Sequence, residues 1–140
     1  GIRGDTSEGV LARLDELLCS EPRCVVLMIG TNDLWSDLSP VDVKGNIVEI
    51  TRILEDGLPD ARLIVQTILP TRQGEKINRR VKAINHLLRS HDWGSIELMD
   101  TYNEFSNERG ELMKVLTTDG VHLNDLGYKR WAAVLKETLG

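Results

Sequence analysis

The feature that most constrains this chain is the run Cys24 to Ile29, six apolar residues, half of them β-branched, that end abruptly at Gly30. A short, wholly apolar run of this kind is the pattern of a strand covered on both faces, and an inner strand is therefore expected. Two similar runs follow, Arg62 to Leu69 and Ile96 to Met99, each separated from the last by a long stretch of helical period. Ser39-Pro40 opens a helix with Val43, Ile47, Ile50 and Leu54 on one face, stopped by Gly57 and Pro59. Ile77, Val81, Ile84 and Leu88 mark the next helix. Tyr128, Trp131 and Leu135 mark a closing helix after Asn124. Upstream, Val10, Leu11, Leu14, Leu17 and Leu18 predict a helix over about residues 6–19, with Asp5 and Glu8 as its N-cap and third-position carboxylate.

The order α-β-α-β-α-β-loop-α implies an α/β fold with a parallel sheet, helices on both faces and right-handed crossovers. The chain of 140 residues has the size and the 41% hydrophobic content of one domain. An α/β chain normally opens on a strand and this one opens on a loop leading into a helix, so a strand is expected upstream and the domain 1–140 is read as N-terminally incomplete. Seventeen basic against 22 acidic residues, a net charge of −5, and no Lys/Arg cluster argue against nucleic acid as a partner. Apolar runs fall far short of the ~20 residues a membrane-spanning helix needs. The cytoplasm is the expected compartment. Cys19 and Cys24 lack metal or redox spacing and read as plain thiols, with a structural disulfide as the alternative. No cofactor and no metal are expected, since no His/Cys/carboxylate set at zinc spacing is visible.

In a doubly wound sheet, ligands bind at the carboxyl ends of the strands, where helix N-termini also point. Three polar motifs fall there. Gly4 precedes the first helix, Gly30-Thr31-Asn32-Asp33 follows the first strand, and Asp119-Gly120-Val121-His122 precedes the last helix. A histidine three residues after an aspartate in a turn can have its Nδ1 proton held by the carboxylate, leaving Nε2 as a general base. Asn32 offers a side-chain NH₂ and Gly4 a backbone N–H, two donors suited to an oxyanion, where losing one costs ~3 kcal/mol of barrier. Singly, each motif also fits an Asx turn or a helix cap. Jointly they supply donors, base and orienter at one edge.

These blocks resemble the SGNH or GDSL family of esterases and lipases. Gly4-Asp5-Thr6-Ser7 is similar to the family's second block, Gly30 to Asp33 to its third, and Asp119 to His122 to its fifth. Leu69-Pro70-Thr71-Arg72, with the helix through Asn85, is similar to the branch of platelet-activating-factor acetylhydrolase and lysophospholipase-like members. The resemblance implies a three-layer α/β/α, flavodoxin-like fold. It implies a catalytic set of Asp119, His122, Gly4 and Asn32, and a nucleophilic serine on a Gly-Asp-Ser block upstream of residue 1. It also places a missing first strand beside Cys24 to Ile29, so that an upstream segment, a partner chain or a second copy is expected at that edge.

Ser7 lacks a preceding strand and suits a first helical turn better than attack. Ser36 and Ser39 read as turn and N-cap residues, and His86 and His91 as surface or capping groups. Trp35 is a candidate lining for an acyl pocket, while Trp93 and Trp131 fill or border the core. The stretch Thr101 to Lys114 either borders the site or is a surface excursion. The expected activity is hydrolysis of a small acyl ester, lysophospholipid-like or an acetylated sugar, with the 140-residue chain alone nearly inactive. The alternatives are a non-catalytic binding module that has lost its serine and a structural subunit that pairs through its open edge.

Overall fold

The computed structural model of the protein describes residues 8–9 and 23–140. Glu8 and Gly9 are helical; the other residues of the helix expected over 6–19, together with Gly4, Ser7 and Cys19, lie outside the described residues. From there the chain alternates as its hydrophobic periods require. Strand β1 (Cys24–Leu27) leads through a 3-10 turn to helix α1 (Pro40–Gly57), then β2 (Arg62–Gln66), α2 (Glu75–Ser90), β3 (Glu97–Met99), a short helix α3 (Tyr102–Phe105) and the closing helix α4 (Asp125–Leu139). The caps explain the boundaries. Ser39 and Asp42 form a reciprocal capping box with Pro40 at the first helical position, and Asn124 accepts from the Gly127 N–H at 2.9 Å.

The three described strands form one parallel sheet in the order β1-β2-β3, with Val26 opposite Ile64 and Val65 opposite Leu98. Leu63 and Val65 point into a core built with Val43, Ile47, Ile50 and Leu54 of α1 and Val81, Ile84 and Leu88 of α2. Gln66 points to the other face, where its Oε1 accepts from Trp131 Nε1 of α4 at 2.7 Å. Helices thus cover both faces, as a crossover-linked parallel sheet requires.

Among the described residues β1 is an edge strand, with β2 in the middle, the open edge that the family resemblance implies. Its Val25 and Leu27 are buried, but Cys24 is an exposed free thiol, Val26 is half-buried and Met28 is 46% exposed. An apolar run records what a strand can bury, not what lies beside it. Of the two readings of the Thr101 to Lys114 stretch, the inert excursion does not hold. Phe105, Leu112 and Leu116 are fully buried and form a second core with Leu69, Trp131 and Val134 packed against it. Trp93 borders the first core and donates to the Leu88 carbonyl at 2.7 Å. No helix among the described residues is long and apolar enough to cross a membrane.

Candidate active site

The turn before α4 is organised by one carboxylate. Asp119 Oδ1 accepts the backbone N–H of Val121 at 2.8 Å and of His122 at 2.7 Å, while Oδ2 meets His122 Nδ1 at 2.7 Å. One oxygen therefore shapes the backbone and the other holds the ring. The His122 ring contact, followed by these backbone N–H groups, holds the Asp119 carboxyl well below the usual carboxylate range. An ionised acceptor at Nδ1 keeps the proton on that nitrogen. Nε2 then presents its lone pair, and it has no protein partner among the described residues; the His122 side chain is 55% exposed.

The turn is fixed from inside and outside. Thr117 Oγ1 donates to the His122 carbonyl at 2.6 Å and accepts from Gly120 N at 2.9 Å. Outside, Arg72 N donates to the Gly120 carbonyl at 2.8 Å and Gln73 Nε2 to the Asp119 carbonyl at 3.1 Å. Gly120 has φ +85°, and a Cβ there would lie 3.0 Å from Gln73 Nε2 and 3.2 Å from Arg72 Cβ. Only glycine meets both the backbone conformation and the close approach.

The second motif lies at the carboxyl end of β1. Gly30 has φ +110°, and a Cβ would fall 2.6 Å from Ile68 Cδ1. Thr31 then turns helical and opens the 3-10 turn Asn32–Trp35, in which Asp33 and Leu34 are buried and Asn32 is half-buried. Arg80 of α2 reaches across to this loop, donating through Nη2 to the carbonyls of Leu38 at 2.5 Å and Asp33 at 3.2 Å. A cleft of about 70 Å³ opens beside it, between the ends of β1 and β2, lined by Met28, Ile29, Thr31 and Gln66 to Leu69. Trp35 does not line this cleft and is 50% exposed.

The remaining candidates take ordinary roles. Ser36 Oγ donates to the Asp33 carbonyl and accepts from Leu38 N, and Ser39 caps α1. His86 is exposed, and His91 stands edge-on to Trp93 with ring centroids 4.5 Å apart. Among the described residues no three His, Cys, Asp or Glu side chains converge as a metal site would need. Residues that sequence reasoning missed are Thr117, Gln73, Arg80, and the buried Asn78 and Asn85 of α2. The last two had a signal: each follows an apolar position of the stripe, and they stand seven residues apart, on the same helical face.

A parallel sheet with an Asp-His turn and a Gly-x-Asn loop at its strand ends defines a hydrolase-type α/β scaffold. The chain matches the GDSL-like lipase/acylhydrolase family over residues 1–130, and it belongs to that family. It is 31% identical to the platelet-activating factor acetylhydrolase IB subunit alpha2 of Homo sapiens, over 99% of this chain and 62% of that one. It is 30% identical to the human subunit alpha1, over 91% of this chain and 57% of that one. The chain thus spans less than two thirds of the length of these relatives. Among solved structures, a GDSL-like lipase from Bacteroides thetaiotaomicron superposes with a TM-score of 0.88 at 24% identity, covering 99% of this chain and 72% of that one. A carbohydrate esterase family 3 protein from Talaromyces cellulolyticus gives 0.78 at 18% identity, covering 97% and 67%. The likeness to both is one of fold.

Proposed function

We infer that this chain is the part of a serine esterase that carries the base, the acid and the oxyanion donors, and that the attacking serine lies upstream of Gly1. The observation that carries this reading is the 2.7 Å contact between Asp119 Oδ2 and His122 Nδ1, which leaves Nε2 without a protein partner among the described residues. In the reaction, the serine Oγ attacks the ester carbonyl as Nε2 takes its proton. Asn32 Nδ2 and the Gly4 N–H donate to the oxyanion, and His122 returns the proton to the departing alcohol. Water then repeats the sequence to release the acid. Asp119 stays ionised throughout and stabilises the imidazolium that forms.

The substrate is a small acyl ester. The cleft of about 70 Å³ beside the Gly30 to Asp33 loop suits a short acyl group. The acetylhydrolase and acetyl esterase names among the similar proteins agree with that size. Among the described residues the outer edge of β1 has no strand beside it, which supports a single, N-terminally extended domain rather than a self-sufficient 140-residue unit.

Fluorophosphonate labelling followed by intact-mass mapping tests the assignment. The whole natural protein is expected to carry one adduct, upstream of Gly1, and His122→Ala is expected to lower turnover of p-nitrophenyl acetate by at least about a thousandfold. The 140-residue chain alone is expected to show neither adduct nor turnover. An adduct on Ser7 would overturn the nucleophile assignment. A folded whole protein that binds ester analogues without labelling would be a binding module.

A further inference from the structure

Beyond Thr67, whose N–H still donates to the Met99 carbonyl at 3.1 Å, the chain leaving β2 has no further strand partner among the described residues. The chain nevertheless continues inward, with Ile68, two residues beyond β2, packed in the first core and Leu69 packed against the second. Buried backbone groups there need partners. Helix α2 supplies them with two side-chain amides. Asn85 accepts from Ile68 N at 2.7 Å and donates to the Ile68 carbonyl at 2.8 Å. Asn78 accepts from Thr71 N at 2.8 Å and donates to the Thr71 carbonyl at 2.9 Å. Each amide thus engages both backbone groups of one residue, as a neighbouring strand would.

The spacing makes this a matched pair. Seven residues of helix rise about 10.5 Å, and three residues of extended chain advance about 10 Å. Asn78 and Asn85 therefore meet Thr71 and Ile68 without strain on either element. Each captured residue reaches a different half of the site. Ile68 Cδ1 occupies the space against Gly30, at the head of the loop bearing Asn32. Thr71 leads directly to Arg72 and Gln73, which clamp the Gly120 and Asp119 carbonyls.

We propose that Asn78 and Asn85 are positioning residues: two buried amides on α2 that fix the Ile68 to Gln73 segment, and through it set the oxyanion-donor loop and the His122 turn relative to each other. The proposal rests on the esterase reading for the meaning of those two loops, but the placement itself can be read without turnover. Its distinctive consequence is selectivity. Asn78 governs the His122 turn and Asn85 the Gly30 to Asn32 loop.

The test is NMR of the whole natural protein carrying Asn78→Ser, Asn85→Ser, Gln73→Ala or Ile68→Val, paired with ester turnover. Asn78→Ser and Gln73→Ala are expected to speed exchange of the His122 Nδ1 proton at least about tenfold while leaving the Gly30 and Asn32 signals in place. Asn85→Ser and Ile68→Val are expected to do the reverse. Each should lower kcat by roughly ten to a hundredfold, with KM changed less than about twofold. Gln73 is exposed and Ile68→Val is a one-methyl change, so both remain informative if an asparagine variant does not fold. Equal disturbance of both loops by every variant, or a lower melting temperature with neither loop disturbed, would overturn the proposal. If His122→Ala keeps full turnover, the esterase reading fails instead, while the selectivity seen by NMR still decides the positioning roles.

Discussion

The two faces of the sheet are built in different ways. On one, α1 and α2 lay regular apolar stripes against Val25, Leu27, Leu63 and Val65. On the other, the core is a segment of short helical turns and an isolated bridge, with Phe105, Leu112 and Leu116 held under Trp131 and Val134 of α4. Both exclude water, but only the second is continuous with the turn that holds His122. Leu116 leads into Thr117, and its carbonyl accepts from Asn124 N at 2.9 Å, closing the loop that contains Asp119 and His122. The first face reaches the site through side chains of α2, Asn78 and Asn85 among them. The second runs straight into the histidine turn, so damage to it should be felt there most directly.

The sharpest way to break this comparison is a pair of core deletions. Phe105→Ala and Leu54→Ala both remove fully buried side chains, and each is expected to cost about 3–5 kcal/mol in urea unfolding. Only Phe105→Ala should also disorder the His122 Nδ1 proton signal in the folded state; equal effects would erase the distinction. Next comes Gly127→Ala. A Cβ there would lie 2.6 Å from the Leu116 carbonyl oxygen, backbone that cannot step aside cheaply, so a loss of about 1–3 kcal/mol is expected. Gly45→Ala on α1, where a Cβ meets nothing within 4 Å, should be neutral or stabilising by up to about 1 kcal/mol. Thr117→Val keeps the shape but strips the hydroxyl that serves Gly120 N and the His122 carbonyl. A cost of about 1–3 kcal/mol is expected, with faster amide exchange confined to residues 117–122.

The smallest effect concerns pH. The folded state lowers the Asp119 pKa, so its contribution is complete above the ordinary carboxylate value near ~4 and is lost as pH falls through the lower folded value. The urea midpoints of the wild type and Asp119→Asn should therefore converge as pH drops below about 4. The side chain is half exposed, so the separation at neutral pH is modest. A separation that grows in acid would contradict the ionised-acceptor role.

Much of the first face was legible because its signals are local. Ser39-Pro40, Gly57 and Asn124 mark helix ends through hydrogen bonds made within a few residues, and the stripes of α1 and α2 repeat at helical period. The Asp119 to His122 geometry was equally local, a three-residue turn closed by its own carboxylate. Phe105, Leu112 and Leu116 follow no period, so their shared burial exists only once α4 is in place. The open edge of β1 was legible only through the family resemblance, since apolar residues report burial and not neighbours. Asn78 and Asn85 were passed over because an asparagine beside an apolar stripe looks like a solvent-facing residue until the strand end it holds is known.

The clamp from Gln73 onto Asp119 joins residues 46 positions apart. Such a closure becomes favourable only after β2 and α2 have come together, since the entropy of ordering the intervening chain must first be offset by their packing. The histidine turn should accordingly be among the last parts of this chain to order during folding and among the first to loosen on warming. Heat should then silence the protein below the temperature at which its sheet melts, and cooling should restore it without the need to rebuild the fold.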